Sequence, residues 1–156
     1  MIFITVGTTR FPFARMKQVF QKVCRARQSN ELVIFQHGTT PVITSAKNVA
    51  LQAFMDFKTM DRYLRQARIV ICHGGPGTIY QALGHGKTPL VLPRERNFGE
   101  HVDNHQTWFV DFMEKQKIIY RIYANDEISL SLPKKQPEII LGKTRGRLIT
   151  YLSSLT

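Results

Sequence analysis

Residues 72–93 read CHGGPGTIYQALGHGKTPLVLP, and this stretch decides the fold. It follows an apolar run, Ile69-Val70-Ile71, and at once gathers Gly74, Gly75, Pro76 and Gly77. One helix's worth of residues comes next, then Gly84 and Gly86, then a second apolar run over 89–92. Short apolar runs bounded by glycine read as buried strands, and the segment between them as the crossover helix of a parallel pair. Glycine at a strand end weakens packing, so its abundance implies that something approaches the backbone there.

The pattern extends in both directions. Residues 2–6 (IFITV) form a β-branched run closed by Gly7, and Phe13, Met16, Val19, Phe20, Val23 and Cys24 follow with helical spacing, Pro12 in the first turn. A strand is expected over 31–36, ending at His37-Gly38, an extended segment over 48–54, and a short helix over 59–67. After the strand at 69–72, a helix is expected over 77–85, a strand over 89–92, a helix over 101–115 and a strand over 118–123. Residues 124–137 read as loop and 143–155 as a terminal helix. The alternation predicts an α/β domain, a Rossmann-like parallel sheet with helices on both faces. The whole chain, 1–156, reads as one domain, with 1–123 as core and 124–156 as loop and C-terminal helix.

Composition narrows the partners. Twenty-two Lys and Arg against eleven Asp and Glu give a net charge of +11 and a pI near 10.1, which favours an anionic partner. The basic residues are scattered, with no basic tail or aromatic-interleaved repeat, so a nucleic-acid partner is not expected. No apolar run is long enough for a membrane span, and the opening MIFITVG lacks the basic head of a signal peptide. Cys24 and Cys72 both sit among apolar neighbours and read as buried free thiols of a reducing cytoplasm.

In open α/β sheets ligands bind beyond the carboxyl ends of the strands. Two loops lie there: Gly7-Thr8-Thr9, and His73-Gly74-Gly75-Pro76-Gly77-Thr78. A helix N-terminus presents unpaired N–H groups that attract phosphate, and bare glycines let those groups come close. Standard phosphate devices do not fit. A P-loop needs glycine at 81, where Gln81 stands, and the dinucleotide fingerprint needs a small residue at 80, where Tyr80 stands. His101, Asp103 and His105 invite a metal reading, but Val102 replaces the glutamate of the zincin pattern, and no metal is expected. Glu100, His101, Asp103 and Gln106 are better suited as hydroxyl partners at the mouth of a pocket. Arg94 and Arg96, at a strand end close by, read first as exposed basic residues facing lipid or a partner; the alternative is that they pair with a ligand carboxylate.

The segment HGGPGTIYQALGHGKTPLVLPRERNFGEHVDNHQ, with VGTT at the start and FQHG at 35–38, resembles the donor-binding half of GT-B glycosyltransferases. It is most similar to the short subunits of split UDP-sugar transferases of exopolysaccharide and lipid-linked oligosaccharide synthesis. The resemblance covers roughly residues 1–115. It implies a nucleotide-sugar site in which Gly7, Thr8, Thr9, His73, Gly74, Gly75, Gly77 and Thr78 hold a diphosphate. Asp103 and Gln106, with His105 beside them, would read the sugar. Many relatives carry a ribose-binding glutamate where this chain has Gln81, an amide that accepts without the help of charge. The resemblance further implies a UDP-sugar substrate, no cofactor, and a membrane-anchored partner that binds a lipid-linked acceptor and supplies the catalytic base. The chain would then be cytoplasmic, peripheral at the inner face of the membrane. The alternative is a non-catalytic nucleotide-binding partner that stabilises or regulates a membrane glycosyltransferase.

Overall fold

A computed structural model describes residues 1–131; the expected terminal helix at 143–155 lies outside the described residues. Six strands form one sheet: β1 (Ile2–Thr5), β2 (Val33–Gln36), β3 (Val49–Gln52), β4 (Ile69–His73), β5 (Leu90–Leu92) and β6 (Tyr120–Arg121). Their order is β3-β2-β1-β4-β5-β6, and every pairing is parallel. Four helices connect or flank them: α1 (Ala14–Ala26), α2 (Phe57–Gln66), α3 (Pro76–Gly84) and α4 (His105–Lys115).

Side-chain alternation sorts the core into two faces. Ile2, Ile4, Ile69, Ile71 and Leu92 pack against Met16, Val19, Phe20 and Val23 of α1. On the other face Phe3, Ile34 and Val70 meet Leu64 of α2 and Ala82 of α3, while Cys72 and Val91 meet Ile79, Phe109, Val110 and Met113. The central strands are therefore buried on both sides, as parallel strands covered by crossover helices must be. Cys72 is fully buried, which pushes its thiol pKa up; Cys24 is only half-buried, on the rim of the α1 face, and both thiols are free.

Several expected boundaries shift by a residue or two, β6 shortens from 118–123 to Tyr120–Arg121, and two shifts bear on the site. Phe13 is the N-cap of α1, and its N–H donates to Thr40 Oγ1 at 2.8 Å, so Pro12 stands outside the helix. The helix expected from 101 starts only at His105. A 3₁₀ turn, Arg96–Phe98, closed by Gly99 in the left-handed region (φ 66°), takes up the preceding residues. His101 and Asp103 thus lie in a loop, not on a helix face with His105.

The strand order reverses between β1 and β4, because α1 leads from β1 toward β2 on one side while β4 leads to β5 on the other. At such a switch point two adjacent loops diverge and leave a crevice. Those two loops are the glycine loops.

Candidate functional site

The β1 loop is held by a residue that sequence reasoning did not single out. Gln36, buried at the end of β2, accepts from Thr5 Oγ1 (2.6 Å), Val6 N–H (3.2 Å) and Gly7 N–H (3.1 Å) through its side-chain oxygen. Its amide nitrogen donates to Gly7 O (2.9 Å) and Ala53 O (2.8 Å). The Gly7 N–H is thereby spent inside the protein, leaving Thr8, exposed, and Thr9, half-buried, as the outward groups of this loop. A glutamine inside a strand, directly after Val-Ile-Phe, is the one signal that could have marked it.

The glycines of the two loops have distinct reasons. A Cβ on Gly75 would stand 2.2 Å from His73 Nε2, and one on Gly7 would stand 2.7 Å from the same nitrogen. The imidazole of His73 is therefore clasped between the loops. Gly7 is also at φ +76°, where side chains are strained. Gly74 lets α4 approach: its Cβ would come within 3.0 Å of Gln106 Cβ and Val110 Cγ2. At Gly77 nothing lies within 4 Å, so this glycine faces open space. With Pro76 at the first position of α3, the N–H groups of Gly77 and Thr78 lack acceptors within the helix. That is the anion-attracting end expected from the sequence.

His73 is neutral at physiological pH. Desolvation, then the nearby Arg94 charge, push its pKa down to about 3, and His101 adds to the effect. It presents an uncharged imidazole to the crevice.

Arg94 contradicts both expectations, the exposed basic residue and the partner of a ligand carboxylate. It is fully buried, and its guanidinium donates to the carbonyls of Val6 (2.9 Å), Phe11 (2.9 Å) and Glu100 (3.2 Å), over the Phe13 ring at 4.4 Å. Burial pushes its pKa down to about 10, against the opposing pull of Glu100, so it stays charged. Glu100 is buried too and receives Arg15 Nε at 3.1 Å, while Arg15 also donates to Glu95 and to Pro93 O. These groups fasten the loop after β5 to α1 and to the β1 loop, and they are unavailable to a ligand. Gln106 is buried, with its side-chain oxygen accepting the Arg94 N–H at 3.2 Å. Arg96 is exposed on the 3₁₀ turn.

Outside this knot stand His101, Asp103 and His105. Asp103 Oδ1 accepts from the His105 N–H at 3.2 Å and from His105 Nδ1, and His101 Nδ1 lies 3.2 Å from it. The His105 hydrogen bonds, backbone first, hold the Asp103 carboxyl below its usual range. Gln81 is half-buried on α3, its amide 3.5 Å from Asp61 Oδ1, which takes His85 Nε2 at 2.7 Å. The crevice thus combines an open helix N-terminus, two threonines, a neutral imidazole and an outer cluster of two histidines and an aspartate.

A doubly wound parallel sheet with bare loops at its switch point defines a Rossmann-like domain, a fold in which ligands bind beyond the carboxyl ends of the strands. Residues 1–136 match the glycosyltransferase family 28 C-terminal domain, and the chain belongs to that family. A UDP-N-acetylglucosamine transferase subunit, ALG13, of Kluyveromyces lactis is 32% identical over 74 residues, covering 47% of this chain and 36% of that protein. Among solved structures, the glycosyltransferase of kitacinnamycin aligns with a TM-score of 0.58 at 16% identity, over 81% of this chain and 31% of its own. SnogD, a glycosyltransferase from Streptomyces nogalater, aligns at 0.57 and 18% identity, over 80% and 31%. The fold is that of one half of a GT-B glycosyltransferase, and the chain spans about a third of each of these proteins. Among the described residues, no helix is long and apolar enough to cross a membrane.

Proposed function

We propose that this chain is the donor-binding subunit of a two-component inverting glycosyltransferase that moves a sugar from a UDP-sugar to a lipid-linked acceptor. The observation that carries the reading is the open N-terminus of α3, with Gly77 facing free space at the sheet's switch point, in a chain of the family 28 C-terminal domain. In this reading the N–H groups of Gly77 and Thr78, with Thr8, Thr9 and the His73 imidazole, hold the diphosphate and stabilise the charge of the departing UDP. Gln81 takes the ribose, and Asp103 with His105 takes the sugar hydroxyls. Gly7 and Gln106 shape the crevice, since the Gly7 N–H and the Gln106 side-chain oxygen are used in internal hydrogen bonds; Gly74 and Gly75, which leave no room for a side chain, keep the second loop bare beside the diphosphate.

Transfer also needs an acceptor hydroxyl aligned behind the anomeric carbon and a base within about 3 Å of it. Both are assigned to a membrane-anchored partner that holds this chain at the cytoplasmic membrane face. Support comes from the ALG13 relative, a subunit by name. Phe98, Val102 and Trp108, each 59% exposed beside the site, give further support, since neighbouring exposed apolar side chains mark protein contacts.

The test is a melting-temperature series with UDP, ADP and GDP, followed by a transfer assay. Ligand at about a hundred times its dissociation constant contributes roughly 2.7 kcal/mol. UDP is expected to raise the melting temperature by roughly 5–10 °C, more than the other nucleotides. The purified chain is expected to transfer no sugar until partner-containing membranes are added. Equal shifts from all nucleotides overturn the uridine assignment; robust transfer by the chain alone overturns the two-component reading.

A further inference from the structure

His101, Asp103 and His105 carry chemistry that sugar recognition does not require. Their donor atoms all lie within 4.8 Å of one another. Both imidazoles turn Nδ1, not Nε2, toward the single oxygen Asp103 Oδ1, and the two rings meet edge to face with centroids 4.7 Å apart. His101 Nδ1 is removed from solvent yet forms no hydrogen bond of acceptable geometry. A buried nitrogen in that condition is costly unless something else occupies its lone pair.

We infer that these three side chains form a site for a zinc-class divalent cation. Tetrahedral coordination at about 2.0–2.2 Å sets neighbouring donor atoms roughly 3.3–3.5 Å apart. The His101 Nδ1 to Asp103 Oδ1 separation of 3.2 Å already matches that edge, and the remaining edges close by small rotations of two exposed side chains, Asp103 and His105. Two imidazoles and one carboxylate suit zinc over magnesium or calcium, which prefer all-oxygen shells. Three protein ligands leave one position for water. Binding displaces the proton that His105 Nδ1 now directs at Asp103, and it fills the unpartnered lone pair of His101 Nδ1. The bound ion ties the loop after Gly99 to the first turn of α4.

The experiment uses tag-free full-length chain, first freed of metal by chelation. One equivalent of zinc is expected to raise the melting temperature by roughly 5–10 °C, reversibly with EDTA. Cobalt(II) is expected to give the intense visible bands of a tetrahedral site. Both signals should vanish in His101→Asn and His105→Asn, weaken at least tenfold in affinity in Asp103→Asn, and persist in His85→Asn. Circular dichroism confirms folding of each variant, and a non-folding one is replaced by His101→Gln or His105→Gln. No zinc-dependent shift in the wild type, or a shift retained in both histidine variants, overturns the site. Nucleotides play no part in these measurements, so failure of the UDP-sugar reading leaves their outcome unaffected.

Discussion

Residues 94–106 hold two sets of polar side chains with opposite fates. Arg94, Glu100 and Gln106 are buried, and their polar groups serve the protein itself, whereas Asp103 and His105 are exposed and His101 is partly so, the three engaging one another and no other part of the scaffold knot. Chemically, either set could read a sugar. The difference is access: a group already surrounded by internal partners can shape a pocket but cannot contact its occupant.

This contrast breaks most decisively at Arg94. Arg94→Met leaves the Val6, Phe11 and Glu100 carbonyls without their donor and is expected to cost about 3 kcal/mol or more in denaturant unfolding. A loss below about 1 kcal/mol would return Arg94 to the list of ligand-binding candidates. Gly75→Ala is expected to cost about 2 kcal/mol, because its Cβ meets the His73 ring at 2.2 Å. Most of that penalty should disappear against a His73→Ala background, and a double-mutant cycle with no coupling denies the clasp.

Acid sharpens the comparison further. The folded pKa of His73, near 3, lies below the ordinary histidine value, so the unfolded chain binds the extra proton. The stabilisation is complete above about pH 6.5 and declines as pH falls toward 3. Partial solvent access tempers it to about 1 kcal/mol by pH 5, measured as the difference between wild type and His73→Gln. An identical pH dependence in the two proteins would show the ring to be no more buried than a surface histidine. The smallest effect belongs to the outer set. Asp103→Asn, in metal-free protein, should change stability by no more than about 0.5 kcal/mol while weakening UDP-sugar binding. A large stability loss would make Asp103 part of the scaffold.

The sheet was legible because its strands are apolar on both faces: Ile69-Val70-Ile71 and Ile2-Phe3-Ile4 have no other economical reading. The two loops followed from their glycines. The start of α4 was not legible, since the 3₁₀ turn and the left-handed Gly99 insert a reversal into a stretch whose polar residues fit a helix equally well. Nor was the division of labour at the site. Whether Arg94 or Gln36 points inward depends on which backbone groups the fold brings within reach, and most of those belong to residues distant in the chain: Gly7 and Ala53 for Gln36, Val6 and Phe11 for Arg94. Even the glycines were read for one cause when they have four: the His73 ring, the approach of α4, the open crevice, and the left-handed backbone of Gly7.

The clasp around His73 also constrains the order in which this site can evolve. Gly75 has an ordinary φ of −75°, so the imidazole alone excludes a side chain there. A lineage that first replaces His73 with a smaller residue frees position 75 to drift. The reverse order passes through a clash and is closed. Gly7 gains no such freedom, because its positive φ persists whatever stands at 73. Descendants that have lost the imidazole should therefore vary at 75 while keeping glycine at 7, an asymmetry that ties one loop's history to a ring and the other's to its own backbone.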